Sequence, residues 1–304
     1  MNIISHKYTF LAFSGILVAA SIFAIAFWGL KLGIDFTGGT RMEIEFERAM
    51  PSVAELKNAL SGSDLAHARV ELSGEKRVSI KAGSISEAAH QDTLVRLAKV
   101  SRENKGGEIK ERRFDAIGPV IGRELKIQSL IALVTAAAAI IIYIAWSFRH
   151  VSKPVASWKY GIAAVLALCH DVIIPTGVFA VLGHFQGVEV DSLFITALLT
   201  IMGFSVHDTI VVFDRTRENL RALRAPDPFG RTVNKSVNET ISRSVNTSLT
   251  VLLVLSAIFF FGGETTRFFS LALVIGIVFG TYSSIFVASP LLIVWQELSA
   301  RLKK

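Results

Sequence analysis

The chain has 304 residues, 51% of them hydrophobic and only 19% charged, with a mean hydropathy of +0.50 and a formal net charge of +7. Few soluble domains of this length are so apolar, so the composition excludes an ordinary globular protein and points to a polytopic membrane protein with one moderately polar insert. The basic residues gather beside apolar segments, which fits membrane topology better than nucleic-acid binding, and the single cysteine, Cys169, excludes an intrachain disulfide.

Six apolar segments reach spanning length, at approximately 8–30, 128–147, 160–183, 191–213, 246–262 and 268–295. The run from Tyr8 is about twice the length of a signal-peptide core and no clear cleavage site follows it, so it is expected to remain as a signal anchor. Residues 1–30 are thus the first span, 31–125 an inserted domain, and 126–304 the other five spans with their loops. Basic residues in short loops set the orientation. Arg149, Lys153 and Lys159 follow the second span. Arg215, Arg217, Arg221, Arg224, Arg231, Lys235 and Arg243 follow the fourth, and Arg301, Lys303 and Lys304 end the chain. Residues 184–190 have no Lys or Arg, and 263–267 have only Arg267. Both termini are therefore expected in the cytoplasm and residues 31–125 outside.

Within the insert, Thr40 to Glu47 alternates with Met42, Ile44 and Phe46 on one face, a strand pattern. Ser52 caps a helix through Val53, Leu56 and Leu60. Alternating runs at Ala68–Leu72 and Arg77–Lys81 flank a turn at 73–76. Ser84 and Glu87 have capping-box spacing before a helix with Ala88, Leu94, Leu97 and Ala98, and Glu108–Phe114 is a last strand. The order βαββαβ is that of a small ferredoxin-like domain. It carries no metal cluster, nucleophile triad or phosphate loop, which leaves a docking role or a passive spacer.

The spans carry polar residues that lipid does not favour. Asp208, beside His207, lies nearly two turns inside Asp214. An intramembrane carboxylate costs about 2.5–3.5 kcal/mol on insertion scales and is a functional candidate by default; the plain alternative is a helix-end Asp that reaches water. Asp171, beside His170, lies half a span into the third segment. Arg243 precedes the fifth span, and Thr247, four residues on, shares its helical face. An Asp that pairs with this Arg in one state and takes a proton in another would carry protons; a static ion pair is the other reading. Gly276, Gly280, Ser283 and Ser284 form a further site, of small residues, in the last span; Gly276 and Gly280, four apart, let a neighbouring helix approach closely, with plain helix packing as the other reading of the glycines. In the loop 214–245 the basic residues serve topology or bind anionic lipid or a cytoplasmic partner. There Phe229, Val233, Val237 and Ile241 recur every four residues, as in an interfacial helix over 228–241.

One long run, Gly203-Phe204-Ser205-Val206-His207-Asp208-Thr209-Ile210-Val211-Val212-Phe213-Asp214-Arg215-Thr216-Arg217-Glu218-Asn219, resembles the fourth-span motif of the SecD/SecF family of protein-export membrane proteins, in its SecF branch. Gly33 to Thr40 is similar to the family's Gly-Gly motif, which gives Asp35, Phe36, Gly38 and Gly39 as motif residues. Gly118 to Leu125, His170-Asp171-Val172 and Ser242 to Thr250 match in place. A SecD–SecF fusion would be much longer, so a stand-alone SecF-type chain is expected. The resemblance implies a six-span bundle of the resistance-nodulation-division (RND) type with a ferredoxin-like α+β periplasmic domain, in the bacterial cytoplasmic membrane. It implies SecD as partner, the SecYEG channel and SecA, with YajC and YidC as further contacts, and unfolded preprotein on the periplasmic side. It implies a non-enzymatic, cofactor-free role in which the proton motive force assists export, with Asp208, Arg243, Thr247 and Asp171 on the proton path. The position before Asp208 is often Asn in such motifs; His207 here tunes Asp208, joins the relay, or bonds across helices. Half of a small-molecule or lipid exporter of the same superfamily and a non-transporting translocon scaffold are the alternatives.

Overall fold

Alternation, capping and turn chemistry produce the inserted unit. The computed structural model describes residues 3–72, 74–149, 156–222 and 228–301, which divide into two compact units, Leu32–Leu130 and the remainder. In the first unit a one-turn helix α2 (Ile34–Thr37) leads into β1 (Gly39–Phe46), followed by α3 (Val53–Leu60), β2 (Arg69–Leu72), β3 (Arg77–Ala82), α4 (Glu87–Glu103) and β4 (Ile109–Ile117). The sheet order is β2-β3-β1-β4, antiparallel throughout, the ferredoxin-like arrangement. Met42, Ile44 and Phe46 are fully buried and meet Leu56, Leu60, Ile80 and Leu97 in one core. Ser52 and Glu55 form the reciprocal capping box of α3.

Two details differ from the expectation for this unit. The cap of α4 is Ser86, not Ser84; its Oγ accepts from the Ala89 N–H at 3.2 Å, and Glu87 becomes the first helical residue. Ser84 and Ser86, two residues apart, offer the same hydroxyl, and Ser86 has the extended backbone of a cap residue. β4 also runs three residues past Phe114. Ser73 of the expected turn lies outside the described residues.

The second unit holds the helices α1 (Lys7–Trp28), α6 (Ser157–Gln186), α7 (Ser192–Ala222), α8 (Phe229–Phe261), α9 (Glu264–Ser283) and α10 (Ser289–Arg301), and most of α5 (Pro119–Ser147). Six helical segments among the described residues are long and apolar enough to span, the last being the joined stretch Thr265–Ser299. α9 packs against α6, α7 and α8, and α1 packs against α6. Half of the apolar window of α6 and of α7 is buried, but only 6% of that of α5.

The stretch 214–245 is not a loop. α7 continues to Ala222 and α8 begins at Phe229, so the basic residues there lie mostly on helix extensions. Nor is 228–241 a separate interfacial helix. It is the first part of α8, and its apolar stripe of Phe229, Val233 and Val237 is buried in the bundle core with Phe213 and Tyr160. A stripe at four-residue spacing fits a protein interior as well as a lipid surface. Lys153, Arg224, Lys303 and Lys304 of the topology pattern lie outside the described residues.

The last span changes its winding. Between α9 and α10, Ser284–Ala288 form a π turn. Pro290 supplies the cause: it has no N–H for the carbonyl four residues back, and its ring crowds that carbonyl. Ser289 Oγ donates to the Ser284 carbonyl at 3.1 Å. Pro175 inside α6 likewise has no N–H to offer the carbonyl of Asp171.

Candidate functional site

Asp208 is buried on α7 and accepts two hydrogen bonds from hydroxyls on other helices. Ser244 Oγ of α8 donates to Oδ1 at 2.5 Å, and Ser284 Oγ of the π turn donates to Oδ2 at 2.9 Å. Asp171, with no exposed surface, is held by three donors. Ser283 Oγ donates to Oδ2 at 2.6 Å, Ser205 Oγ of α7 donates to the same oxygen, and His170 Nδ1 lies 2.8 Å from Oδ1. Ser205 and Asp208 are three residues apart on α7, so one helix face touches both sites. Ser248, one turn from Ser244, bonds Thr281, which continues the polar seam along α8 and α9.

Two glycines let the seam close. A Cβ on Gly276 would overlap the Ile201 side chain, and one on Gly280 would sit 3.3 Å from Ser205 Cβ. Small residues at a helix crossing bring the backbones together. Here that approach brings the hydroxyls of the last span within reach of both carboxylates.

The expected Asp208–Arg243 pair is not formed. Arg243 and Thr247 share a face of α8, as their spacing requires, but that face is exposed, and Arg243 makes no ion pair among the described residues. The reason is angular: consecutive helical residues point about 100° apart. Once Ser244 faces Asp208, Arg243 cannot. Arg243 instead borders an open cleft of about 380 Å³ with Asp214, Arg215, Glu218, Glu239 and Thr240. His207 is also exposed and makes no hydrogen bond across helices among the described residues.

Asp35, Phe36, Gly38 and Gly39 lie in the other unit. Phe36 is buried, and Asp35 occupies the first turn of α2. Gly38 has φ +72°, and a Cβ there would lie 2.7 Å from Pro119 Cα; Gly39 has φ +130° and would meet the Ala82 carbonyl at 2.6 Å. A Cβ on Gly122 would in turn lie 2.7 Å from Gly38 N. The two glycine motifs therefore form one tight backbone junction between β1, β3 and the start of α5. No cluster of metal-ligating side chains occurs among the described residues.

Residues 97–298 match the family model for the protein export membrane protein SecD/SecF, C-terminal, and residues 23–50 match the SecD/SecF GG motif. The chain belongs to the SecD/SecF family. The protein translocase subunit SecF of Thermobaculum terrenum is 42% identical to it over 307 residues, covering 98% of this chain and 94% of that one. That of Anaerolinea thermophila is 37% identical, with the same two coverages. Among solved structures, SecDF from Thermus thermophilus, a translocon-associated membrane protein, superposes with a TM-score of 0.81 at 32% identity. The match covers 98% of this chain and 39% of the SecDF chain, so the chain spans well under half of that larger protein. The chain is thus a multi-pass membrane member of a protein-export family.

Sequence reasoning missed the roles of Ser205, Ser244, Ser283 and Ser284. Ser205 and Ser244 lie inside motifs conspicuous for their charged neighbours, and the last two stand beside Gly280 as small residues with no role assigned by the sequence. The available signal was their number: hydroxyls repeated along apolar helices need acceptors, and two carboxylates were already in view.

Proposed function

We propose that the chain is the SecF-type half of a proton-driven auxiliary of the Sec translocase in the bacterial cytoplasmic membrane. It works with a SecD subunit to assist SecA- and SecYEG-driven export. Both termini lie in the cytoplasm, and the ferredoxin-like unit lies outside, where it meets unfolded preprotein. The chemistry is proton binding and release, not covalent catalysis.

The observation that carries this reading is Asp208, a buried carboxylate in a spanning helix whose hydrogen-bond partners are hydroxyls rather than a cation. A hydroxyl can donate to a carboxylate and accept from a carboxylic acid, so this environment tolerates both protonation states. A buried Arg would tie the site to the ionised state. Arg243 and Thr247 join the path from the exposed face of α8, which the SecD half covers in the complex. His207, next to Asp208 on α7, is exposed as well. Protonation of Asp208 rearranges its bonds to Ser244 and Ser284, the packing of α8 and the last span shifts, and the outer unit moves.

One proton crossing 100 mV releases about 2.3 kcal/mol, and one pH unit adds about 1.4. Full reversal of a two-state element, from about 1:99 to 99:1, needs about 5.5 kcal/mol. One proton biases such a switch strongly, and two complete it.

The test is export of a secretory protein by membrane vesicles, with and without an imposed proton gradient. Asp208→Asn is expected to lose the gradient-dependent part alone. Export equal to wild type under both conditions would overturn the motor reading in favour of a scaffold.

A further inference from the structure

Asp171 is as deeply placed as Asp208, and its surroundings are more specific. An ionised carboxylate only accepts hydrogen bonds, so the 2.8 Å contact with His170 puts the imidazole proton on Nδ1 and leaves Nε2 with a lone pair. Nε2 is buried and has no partner among the described residues. A buried polar atom left without a partner is costly and marks a place for a water or a transferable proton. The ring is held by Tyr282, stacked at 6.2 Å and 19°, and by the edge contact with Phe279. The result is an oriented acceptor backed by a carboxylate.

The π turn supplies the second observation. Ser283 and Ser284 are adjacent in sequence, yet they donate to carboxylates on different helices, Asp171 on α6 and Asp208 on α7. Each hydroxyl also lies near the carbonyl three residues back, Gly280 at 3.0 Å and Thr281 at 2.9 Å. A hydroxyl has one proton and serves the carboxylate or the carbonyl. Neutralising one carboxylate turns a charged acceptor into a weaker neutral one, which lets its serine turn back onto the helix, at the point where the winding is already irregular. The neighbouring serine sits on the same turn and feels the change.

We propose that His170 and Asp171 form a second proton-binding site, coupled to Asp208 through Ser283 and Ser284. The proposal rests on the proton-driven function of Asp208 given above. A hydronium ion gives one proton to Nε2 and is left as water, while the Nδ1–H bond breaks and its proton passes to Asp171 Oδ1. The imidazole ends neutral with its hydrogen on Nε2, and Asp171 ends as the neutral acid. The reverse transfer discharges the site. The titratable groups beside the pair are Cys169 on α6 and Tyr282 on the last span, and His207 on α7 lies near Asp208. The other packed helices present hydroxyls: Ser205 and Ser244 to the carboxylates, and Ser14 of α1 to the Tyr282 hydroxyl. Among the described residues neither Asp is paired with Lys or Arg.

The experiment uses the full chain, purified with its SecD subunit in lipid, and follows protonated carboxyl groups by infrared difference spectroscopy from about pH 5 to about pH 9. Asp171→Asn and Asp208→Asn assign the two steps. Asp171→Asn is expected to remove one step and to move the Asp208 midpoint by about one pH unit. In a Ser283→Ala, Ser284→Ala background the same substitution should leave that midpoint in place. Nitrogen NMR of labelled histidine should show the His170 hydrogen moving from Nδ1 to Nε2 across the Asp171 step. A titration from which Asp171→Asn removes nothing, or an equal Asp208 shift in both backgrounds, overturns the proposal. Ser283→Ala alone keeps both carboxylates and reads the same coupling if Asp171→Asn does not assemble. Export assayed in parallel separates the two claims. Two coupled steps without gradient-dependent export refute the motor alone, and gradient-dependent export with an independent Asp208 refutes the second site alone.

Discussion

Replacing Asp171 by alanine should destabilise the bundle far more than replacing it by asparagine. The carboxylate accepts from Ser205, Ser283 and His170. On truncation Ser283 keeps the Gly280 carbonyl at 3.0 Å, but Ser205 Oγ and His170 Nδ1 have no second acceptor among the described residues. Each buried donor left unmade costs about 1–3 kcal/mol, so the two together cost roughly 2–6 kcal/mol before any cavity is counted. Asparagine keeps one oxygen and gains an amide that Ser283 can accept from. For a unit of about 150–250 residues, 1 kcal/mol moves the midpoint by about 2–4 °C. The asparagine oxygen serves one of these two donors, so Asp171→Ala should melt at least about 2 °C below Asp171→Asn in detergent at one scan rate. Adding Ser205→Ala to Asp171→Ala removes one stranded donor and should recover about 1–3 kcal/mol. Equal melting of the alanine and asparagine variants, or no recovery, would refute the hydrogen-bond account of this site.

Arg243→Met should change the melting midpoint little, since the side chain makes no ion pair among the described residues, yet it should abolish gradient-dependent export; a large loss of stability in the chain without SecD would refute the outward placement. Gly276→Val overpacks against Ile201 and should cost about 1–3 kcal/mol, and Ile201→Ala should be less harmful in that background than alone, as a double-mutant melting cycle would show. In the inserted unit, hydrogen bonds from the Ser52 Oγ and N–H hold the Glu55 carboxyl below its usual range. The folded value is depressed, so the stabilisation is present above the ordinary Glu range and is lost as pH falls through the lowered value. Ser52→Ala should therefore be less stable than wild type near neutral pH, by denaturant titration, and the gap should shrink in acid.

The sequence made the scaffold legible because both of its periodicities were clean. Met42, Ile44 and Phe46 alternate without exception, and the spans are long apolar runs between basic clusters. The boundaries were less legible. Polar residues such as Asn219, Ser236 and Glu239 look like loop, yet they bond one another along α7 and α8: Asn219 Nδ2 donates to Ser236 at 2.9 Å and to Glu239 at 2.8 Å. The carboxylates of the candidate site were visible one at a time. Their partners were not, because helical phase decides which of two neighbours faces inward. Arg243 is the more conspicuous residue, but Ser244 has the phase that meets Asp208. The π turn was invisible to a search for 3.6-residue periodicity, although Pro290 marks its cause.

The polar seam also explains how these helices choose one packing. Lipid tails solvate apolar side chains as well as a neighbouring helix does, so apolar area alone does not fix register inside a membrane. Close approach at Gly276 and Gly280 and the hydroxyl bonds to Asp171 and Asp208 do fix it, because any other register strands a carboxylate in an apolar medium. The groups that specify the packing are then the same groups whose protonation changes its energy. A static ion pair at Asp208 would have specified the packing equally well but resisted protonation. In the proposed proton-driven role, serine hydroxyls hold the helices in register and still let the charge come and go, so that such a bundle is switched by protons without being unfolded by them.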